Sequence, residues 1–159
     1  MFDDSLRLFV ESMVETMCAL DGVGLAAPQV GHSIQCAVID TTSGAEKPLV
    51  LINPVFTFKS EDRIQHEEGC LSFPDLQLMI TRPKIVSVKA FDETGYAVVI
   101  ENAGELLARA LQHEIDHLDG LLFIDHVSLL QRKLLKGKLK KITEFQHRAP
   151  ESDVNPEDR

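Results

Sequence analysis

The sequence predicts an α+β fold of antiparallel strands, with one helix before them and a C-terminal helix after them. Apolar residues recur at helical spacing in three segments, at the start, late in the chain and near its end. Short β-branched segments separated by turn residues fill the middle. The sequence contains no repeat and no linker, so residues 1–147 are predicted to form a single domain.

The first helix is predicted from an apolar stripe near the N-terminus. Asp3, Asp4 or Ser5 can cap its first turn, and Asp21-Gly22 can end it. The stripe consists of Leu6, Phe9, Val10, Met13, Met17 and Leu20. The next segment, GVGLAAPQVG, contains too much glycine and proline for a helix and is predicted to be a shaped loop.

The middle of the chain is predicted to form β-strands. IQCAVID and PLVLINPVF are short, apolar and β-branched, and a third strand is expected around 63–67. KIVSVKAFD and YAVVIEN have the pattern of a hairpin joined at Glu93-Thr94-Gly95. A helix is then expected from about Gly104 to Leu118, with Gly120 as its stop.

A last helix is predicted from about Ser128 to Gln146. Its apolar stripe consists of Leu130, Leu134, Leu135, Leu139, Ile142 and Phe145. Residues 148–159 are polar and contain two prolines, which predicts a disordered tail.

Charge and cysteine content exclude several classes of protein. The 159-residue chain has a net charge of -9, which disfavours bulk attraction to nucleic acid or to an anionic membrane. Cys18, Cys36 and Cys70 are odd in number and far apart, which favours a reducing cytoplasm over a secreted disulfide framework. Cys18 and Cys36 are expected to be buried apolar residues. No segment has the apolar length of a membrane helix, and no signal peptide is expected.

The pattern HEIDH in the late helix predicts a metal site. His113 and His117 lie one turn apart on one helix face, so both imidazoles can reach a single ion. Glu114 would act beside the metal as the general base of the H-E-x-x-H arrangement. The alternative is a pair of surface histidines on an amphipathic helix, with Glu114 and Asp116 as solvated charges.

A catalytic metal also needs a third protein ligand. The metzincin pattern is excluded, because Phe123 stands where its third histidine would be. Glu144 is a downstream candidate, but its lysine neighbours are typical of a solvated face. Cys70, in EEGCLSFP, offers a thiolate, which is a strong ligand for divalent first-row metals.

Three segments occur in the order in which one family carries its signature motifs. GVGLAAPQ (22–29), EGCLS (68–72) and QHEIDH (112–117) resemble the motifs of the peptide deformylases, metal-dependent enzymes that remove the N-formyl group from new polypeptides. The resemblance covers roughly residues 2–146. It implies antiparallel strands wrapped around a central metal-binding helix.

The resemblance assigns chemistry to named residues. The implied metal ligands are Cys70, His113 and His117. The implied metal is typically Fe²⁺, for which Zn²⁺, Ni²⁺ or Co²⁺ can substitute. Glu114 would be the general base and then the general acid. The Gln29 side-chain amide and the Leu71 backbone N–H would donate to the substrate carbonyl oxygen.

The resemblance also implies a pocket for the methionine side chain of N-formylmethionyl peptides. The predicted substrate-binding residues are Val23, Gly24, Gly69, Leu106 and Arg109. Core packing is the alternative for Val23 and Leu106, a turn for Gly24, and a surface salt bridge for Arg109. We infer that Gly24, Ala26 and Gly69 keep the site narrow. Glu68 and Arg82 resemble a structural ion pair of the family and are left out of the predicted chemistry.

The sequence departs from the family pattern in two places. Family members usually carry a further N-terminal segment. Without it the three motifs are intact, but part of the core is expected to be missing. Gln77 stands where some bacterial members have an arginine that contacts the peptide backbone.

The last helix also carries a basic face with two interpretations. Its cations are Arg132, Lys133, Lys136, Lys138, Lys140 and Lys141. One interpretation is a solvated face. The other, which the resemblance suggests, is docking on the ribosome through the phosphates of its RNA.

Two further hypotheses remain open for the function. An H-E-x-x-H metallopeptidase would cut internal peptide bonds and would not need Cys70. A non-enzymatic relative that binds a metal or the ribosome without turnover is favoured only by the missing N-terminal segment. Intact Gln29, Cys70 and Glu114 oppose it.

Overall fold

A computed structural model describes residues 2–146. The predicted tail, 148–159, lies outside the described residues, and the single domain over 1–147 stays a prediction. The helices of the described part are α1 (Asp4–Ala19), α2 (Glu105–Leu118) and α3 (Leu129–Gln146). The strands are β1 (Gly24–Ala26), β2 (Cys36–Ile39), β3 (Leu49–Lys59), β4 (Arg63–Cys70), β5 (Phe73–Pro83), β6 (Val86–Phe91) and β7 (Ala97–Ala103).

The strands form two antiparallel sheets. Five strands make one sheet in the order β1-β2-β3-β6-β7, and β4 pairs with β5 in a separate two-stranded ribbon. The hairpin of β6 and β7 turns where the sequence predicts it, with Gly95 at a φ of 90°. The α+β class with antiparallel strands, a first helix and a C-terminal helix is therefore confirmed. Within residues 2–146, no helix has both the length and the apolar content needed to cross a membrane.

Helix α1 covers one end of the five-stranded sheet. The Asp3 carboxylate caps it by accepting the Leu6 N–H at 3.0 Å. Its buried residues Val10, Met13 and Met17 pack with apolar residues of β1, β2 and β3.

Two sequence predictions for α1 are wrong. Leu20 is exposed, because the helix ends at Ala19 and the chain turns away at Asp21, whose φ is 52°. Cys18 is also exposed, since it follows buried Met17 by one residue and therefore points to a different side of the helix. Cys36, in contrast, is buried as predicted, and burial raises the pKa of its thiol to about 12.

Helix α2 is the centre of the molecule. Nine of its fourteen residues are buried. Ala108, Leu111 and Ile115 pack against the five-stranded sheet. On another side, the Gln112 amide donates to the carbonyl of Pro83 in β5 at 3.1 Å. The helix thus lies between the sheet and the ribbon, and Gly120, with a φ of 75°, ends it as predicted.

Helix α3 packs on the ribbon through part of its predicted stripe. Leu135, Leu139 and Ile142 are half-buried against an apolar cluster of β5 and the segment after α2. Leu130 and Leu134 are exposed, so the stripe prediction is wrong for them. The Phe145 side chain lies outside the described residues.

The sequence does not predict strand β5. Its sequence has prolines near both ends and Asp75, at a φ of 59°, and such residues are unfavourable in strands. Pairing with β4 from Arg63↔Pro83 to Gly69↔Gln77 outweighs these local preferences. The predicted loop GVGLAAPQVG is also partly wrong, because Gly24–Ala26 forms an edge strand on β2.

Candidate active site and metal centre

Three side chains converge where the ribbon meets α2. Cys70 ends β4, and His113 and His117 come from successive turns of α2. Their ligand atoms all lie within 4.8 Å of one another, and Cys70 Sγ is 3.3 Å from His117 Nε2. One sulfur at ~2.3 Å and two nitrogens at ~2.0–2.1 Å from a shared ion would be spaced in this way. The three residues therefore form a possible metal site.

The charge states of these groups also suit a cation. Burial, and then the neighbouring His113, lower the pKa of His117 to about 4, so its imidazole is neutral and has a free lone pair. Burial raises the pKa of the Cys70 thiol, although hydrogen bonds from Ser72 act in the opposite direction. A thiolate at this position is favoured only when a positive ion lies beside it.

Glu68 orients the first histidine of this group. Its Oε2 lies 3.1 Å from His113 Nδ1. Burial alone would raise the pKa of Glu68, but hydrogen bonds from His113 and Arg82 outweigh it and lower the pKa to about 2. An ionised carboxylate only accepts, so Nδ1 carries the proton and Nε2 is left for a metal.

The predicted ion pair of Glu68 with Arg82 is confirmed, and the contact of Glu68 with His113 adds a role that the sequence did not predict. Glu68 and Cys70 are two residues apart in β4. Side chains at that spacing share one face of a strand. This spacing from Cys70 is the sequence signal that could have placed Glu68 beside the metal site.

Glu114 is a buried carboxylate near Cys70, and burial and the charge of Glu114 both raise the pKa of the Cys70 thiol. Its residue is 4% exposed, and within the described part of the chain its Oε2 has no hydrogen-bond partner. Burial raises the pKa of Glu114 to about 8. The alternative of surface histidines with solvated carboxylates is therefore wrong, since His113 and His117 are buried as well.

Gln29 is held with its amide nitrogen toward the same point. Its Oε1 accepts the Ala26 N–H at 2.8 Å. Its Nε2 donates to Ser72 Oγ at 3.0 Å and lies 3.7 Å from Cys70 Sγ. Leu71 is in the two-residue turn between β4 and β5. These two predicted donors therefore flank Cys70.

A cavity of about 670 Å³ opens onto the group. All the predicted substrate-binding residues line it, namely Val23, Gly24, Gly69, Leu106 and Arg109. Val23 and Leu106 are exposed on its wall, so core packing is wrong for both. The sequence did not indicate several further lining residues, which include Leu20, Phe73, Pro74, Leu76 and Ala110.

The small residues of the cavity differ in how much space they leave. A Cβ on Gly24 would lie 2.8 Å from Cγ and Cδ of Glu114, which is too close. At Gly69 the nearest atom to an added Cβ would be 3.7 Å away, an ordinary contact. The inferred narrowing of the site is therefore supported at Gly24 and not at Gly69. Ala26 is buried against Ala37 and Leu118 and is not among the described residues that line the cavity.

The alternative interpretation of Arg109, a salt bridge on the surface, is wrong. Its side chain is only 11% exposed and forms an ion pair with buried Glu68. Its Nη1 also donates to the carbonyl of Ile80 at 3.3 Å.

The geometry and the family comparison agree. The model of the family described as Polypeptide deformylase matches residues 1–133. The chain belongs to the peptide deformylase family. The peptide deformylase of Brucella suis is 46% identical over 143 residues, which are 89% of this chain and 81% of that protein. The peptide deformylase of Thermosynechococcus vestitus is 49% identical over 140 residues, which are 87% of this chain and 73% of that protein.

Solved peptide deformylases share the fold. The crystal structure from Legionella pneumophila matches with a TM-score of 0.85 and 41% identity, and covers 94% of this chain and 88% of that one. Peptide deformylase 1B of Arabidopsis thaliana, in complex with an inhibitor, matches with a TM-score of 0.86 and 35% identity, over 94% and 83% of the two chains.

Family membership decides the reaction class. As a peptide deformylase, this chain is a metal-dependent hydrolase that removes the N-formyl group from nascent polypeptides. The relatives give no support to a metallopeptidase that cuts internal peptide bonds, nor to a non-enzymatic relative.

Gly24→Ala is expected to lower deformylase turnover by about 10²-fold or more, because the new methyl group displaces the Glu114 carboxylate. Metal content should stay at the parental level, since the three atoms nearest to the added methyl group all belong to Glu114. The measurement is kcat for formate release together with metal analysis. Gly137→Ala is the control, because an added Cβ at that exposed helix position meets no atom within 4 Å. Parental turnover in Gly24→Ala would contradict the close packing of this glycine on Glu114.

The metal-free protein is expected to lose stability as pH rises from about 4.5 to about 8, relative to metal-free Glu114→Gln. The unfolded carboxyl ionises near 4.5, whereas the buried one keeps its proton up to about 8. The folded state therefore holds a proton that the unfolded state releases, at a cost of ~1.4 kcal/mol per pH unit. The lowered pKa of Glu68 acts only below pH 4.5, and the lowered pKa of His117, which adds stability as pH rises from about 4 to 6.5, acts in both proteins. Urea unfolding followed by circular dichroism at pH 4.5, 6 and 8 checks this, and parallel curves for the two proteins would refute it.

Proposed function

We propose that this chain deformylates newly made N-formylmethionyl polypeptides with Fe²⁺ held by Cys70, His113 and His117. The observation that carries the proposal is the convergence of these three ligand atoms within 4.8 Å, close to Glu114, whose Oε2 has no hydrogen-bond partner among residues 2–146. When bound, the divalent ion supplies a Lewis acid and a water molecule that ionises near pH 7. Zn²⁺, Ni²⁺ or Co²⁺ can take the same ligands.

Glu114 is the proton carrier of the proposed reaction. Its Oε2 accepts the proton of the attacking water and then delivers it to the nitrogen of the departing amine, as formate is released. A raised pKa supports this role, because a carboxyl that titrates near neutral pH can both take and return a proton. A cation nearby would lower this pKa toward the working pH.

Gln29 and Leu71 are the proposed donors to the carbonyl oxygen of the formyl group. The pinned Oε1 of Gln29 supports this role, since it leaves Nε2 aimed toward Cys70 before substrate arrives. The backbone N–H of Leu71, the residue that follows Cys70, would be the second donor. Removing one such donor typically costs about 10²–10³ in rate.

The cavity supports a preference for a formylated methionine. Val23, Leu106 and Arg109 line it, and the first two offer apolar contact to an unbranched side chain. Gly24 allows close approach beside Glu114, so the reacting end stays narrow. A formyl carbon bears only hydrogen and fits there, while larger acyl groups do not.

We also propose a cytoplasmic location and contact with the ribosome. Newly made polypeptides are the substrates, and all six cations of the basic face of α3 are exposed. They can reach RNA phosphates, and such contacts weaken as salt rises. Co-sedimentation with ribosomes at 50 and 200 mM salt tests the contact, and its absence at both concentrations would leave a solvated face.

The decisive experiment follows formate release from formyl-Met-Ala-Ser after anaerobic purification, with metal analysis of the same sample. Release of formate while all peptide bonds stay intact supports the proposal. Unformylated Met-Ala-Ser is the matched control substrate. Cleavage of internal bonds in unformylated peptides, or no formate from an iron-loaded sample, would overturn it.

A further inference from the structure

The buried carboxylate of Glu68 has more partners than an ion pair with Arg82 requires. Arg82 donates Nε to Oε1 at 2.7 Å and Nη2 to Oε2 at 3.0 Å. Arg109, from α2, donates Nη1 to the same Oε1. The Glu68 side chain is 3% exposed, so each contact is made away from water.

Arg82 cannot balance the buried charge by itself. Its Nη1 donates to Oδ2 of Asp116 at 2.7 Å, so one guanidinium serves two carboxylates. A buried charge without a partner is strongly destabilising. Arg109 supplies a second positive charge for the two carboxylates, and His126 Nε2 also lies 2.7 Å from Oδ2 of Asp116.

Arg109 and His113 reach the same carboxylate from one side of α2. They are four residues apart, which puts them one turn apart on one helix face. Arg109 holds Oε1, and His113 Nδ1 lies 3.1 Å from Oε2. Arg82 on both oxygens and Arg109 on Oε1 together hold the Glu68 carboxylate in place, and with it the direction of His113 Nε2.

We infer that Arg109 is a positioning residue for His113, acting through Glu68, as well as a wall of the substrate cavity. The inference rests on the proposed metal site. The guanidinium of Arg109 contacts Glu68 and the Ile80 carbonyl. The same residue lines the substrate cavity. One side chain therefore serves both the methionine pocket and the orientation of a metal ligand.

Co²⁺ binding to the full chain tests this inference without relying on activity. Arg109→Leu is expected to weaken Co²⁺ binding by ~10–100-fold, the usual effect of losing an outer partner of a metal ligand. The visible absorption of bound Co²⁺ should shift, because His113 is no longer fixed. Arg109→Lys keeps the charge and should fall between Arg109→Leu and the parent. Arg7→Leu is the control, because it removes an arginine–carboxylate pair of 2.9 Å that is exposed.

The outcomes separate positioning from a structural role. Parental Co²⁺ affinity and absorption in Arg109→Leu would overturn the inference and leave Arg109 as a cavity wall, even if the free energy of unfolding falls. If Arg109→Leu does not fold, the milder change Arg109→Gln is tested by the same Co²⁺ affinity and absorption measurements, with the same criteria. A lysine variant no better than the leucine variant would also overturn it. Failure of the parent to bind Co²⁺ would instead refute the proposed metal site.

Discussion

Glu114→Ala is expected to retain its metal and to lose nearly all deformylase activity, with kcat lower by about 10²–10⁴-fold. The metal remains because its proposed ligand atoms belong to Cys70, His113 and His117. Glu68 cannot replace Glu114 as the acceptor of the water proton, because its oxygens are already bound by two arginines and His113.

Glu114→Gln sharpens this test, because it keeps the shape of the side chain and removes only its ability to take a proton. The two variants should lose similar amounts of turnover. Asp119→Ala, at an exposed position just after α2, is the matched control and should match the parent. Formate release and metal content are measured on each protein, and activity retained by Glu114→Gln would remove Glu114 from the role of base.

Cys70→Ala is expected to lose its metal during dialysis, and its activity with it. The change leaves two imidazoles, whereas catalytic sites for such ions usually have three protein ligands. Metal analysis after dialysis against a chelator-treated buffer is the measurement. Cys18→Ala removes an exposed thiol outside the site and should retain the parental metal content. Full metal retention in Cys70→Ala would show that the sulfur is not a ligand.

The elements marked by regularly spaced apolar residues or by a clear turn residue could be predicted from the sequence. Helices α1 and α2 agree with prediction within a few residues, because buried residues such as Met13 and Leu111 recur every three or four positions. The hairpin of β6 and β7 was also predictable, since Gly95 marks its turn.

The parts that depend on pairing between distant segments could not be predicted from local pattern. Strand β5 is extended because β4 pairs with it, although its own residues favour turns. The exposure of Leu130 and Leu134 depends on how little of α3 the ribbon covers. Periodicity alone could not bring Cys70 to His117, 47 residues away, and only the three motifs indicated it.

The metal site joins two parts of the fold that share no strand pairing among the described residues. Cys70 belongs to the two-stranded ribbon, whereas the histidines belong to a helix packed on the five-stranded sheet. A bound ion would therefore act as a removable cross-link between them. By thermodynamic linkage, free metal at 100 times its dissociation constant would add about 2.7 kcal/mol to the free energy of unfolding. Chelation would thus weaken the attachment of the ribbon as well as stop the reaction.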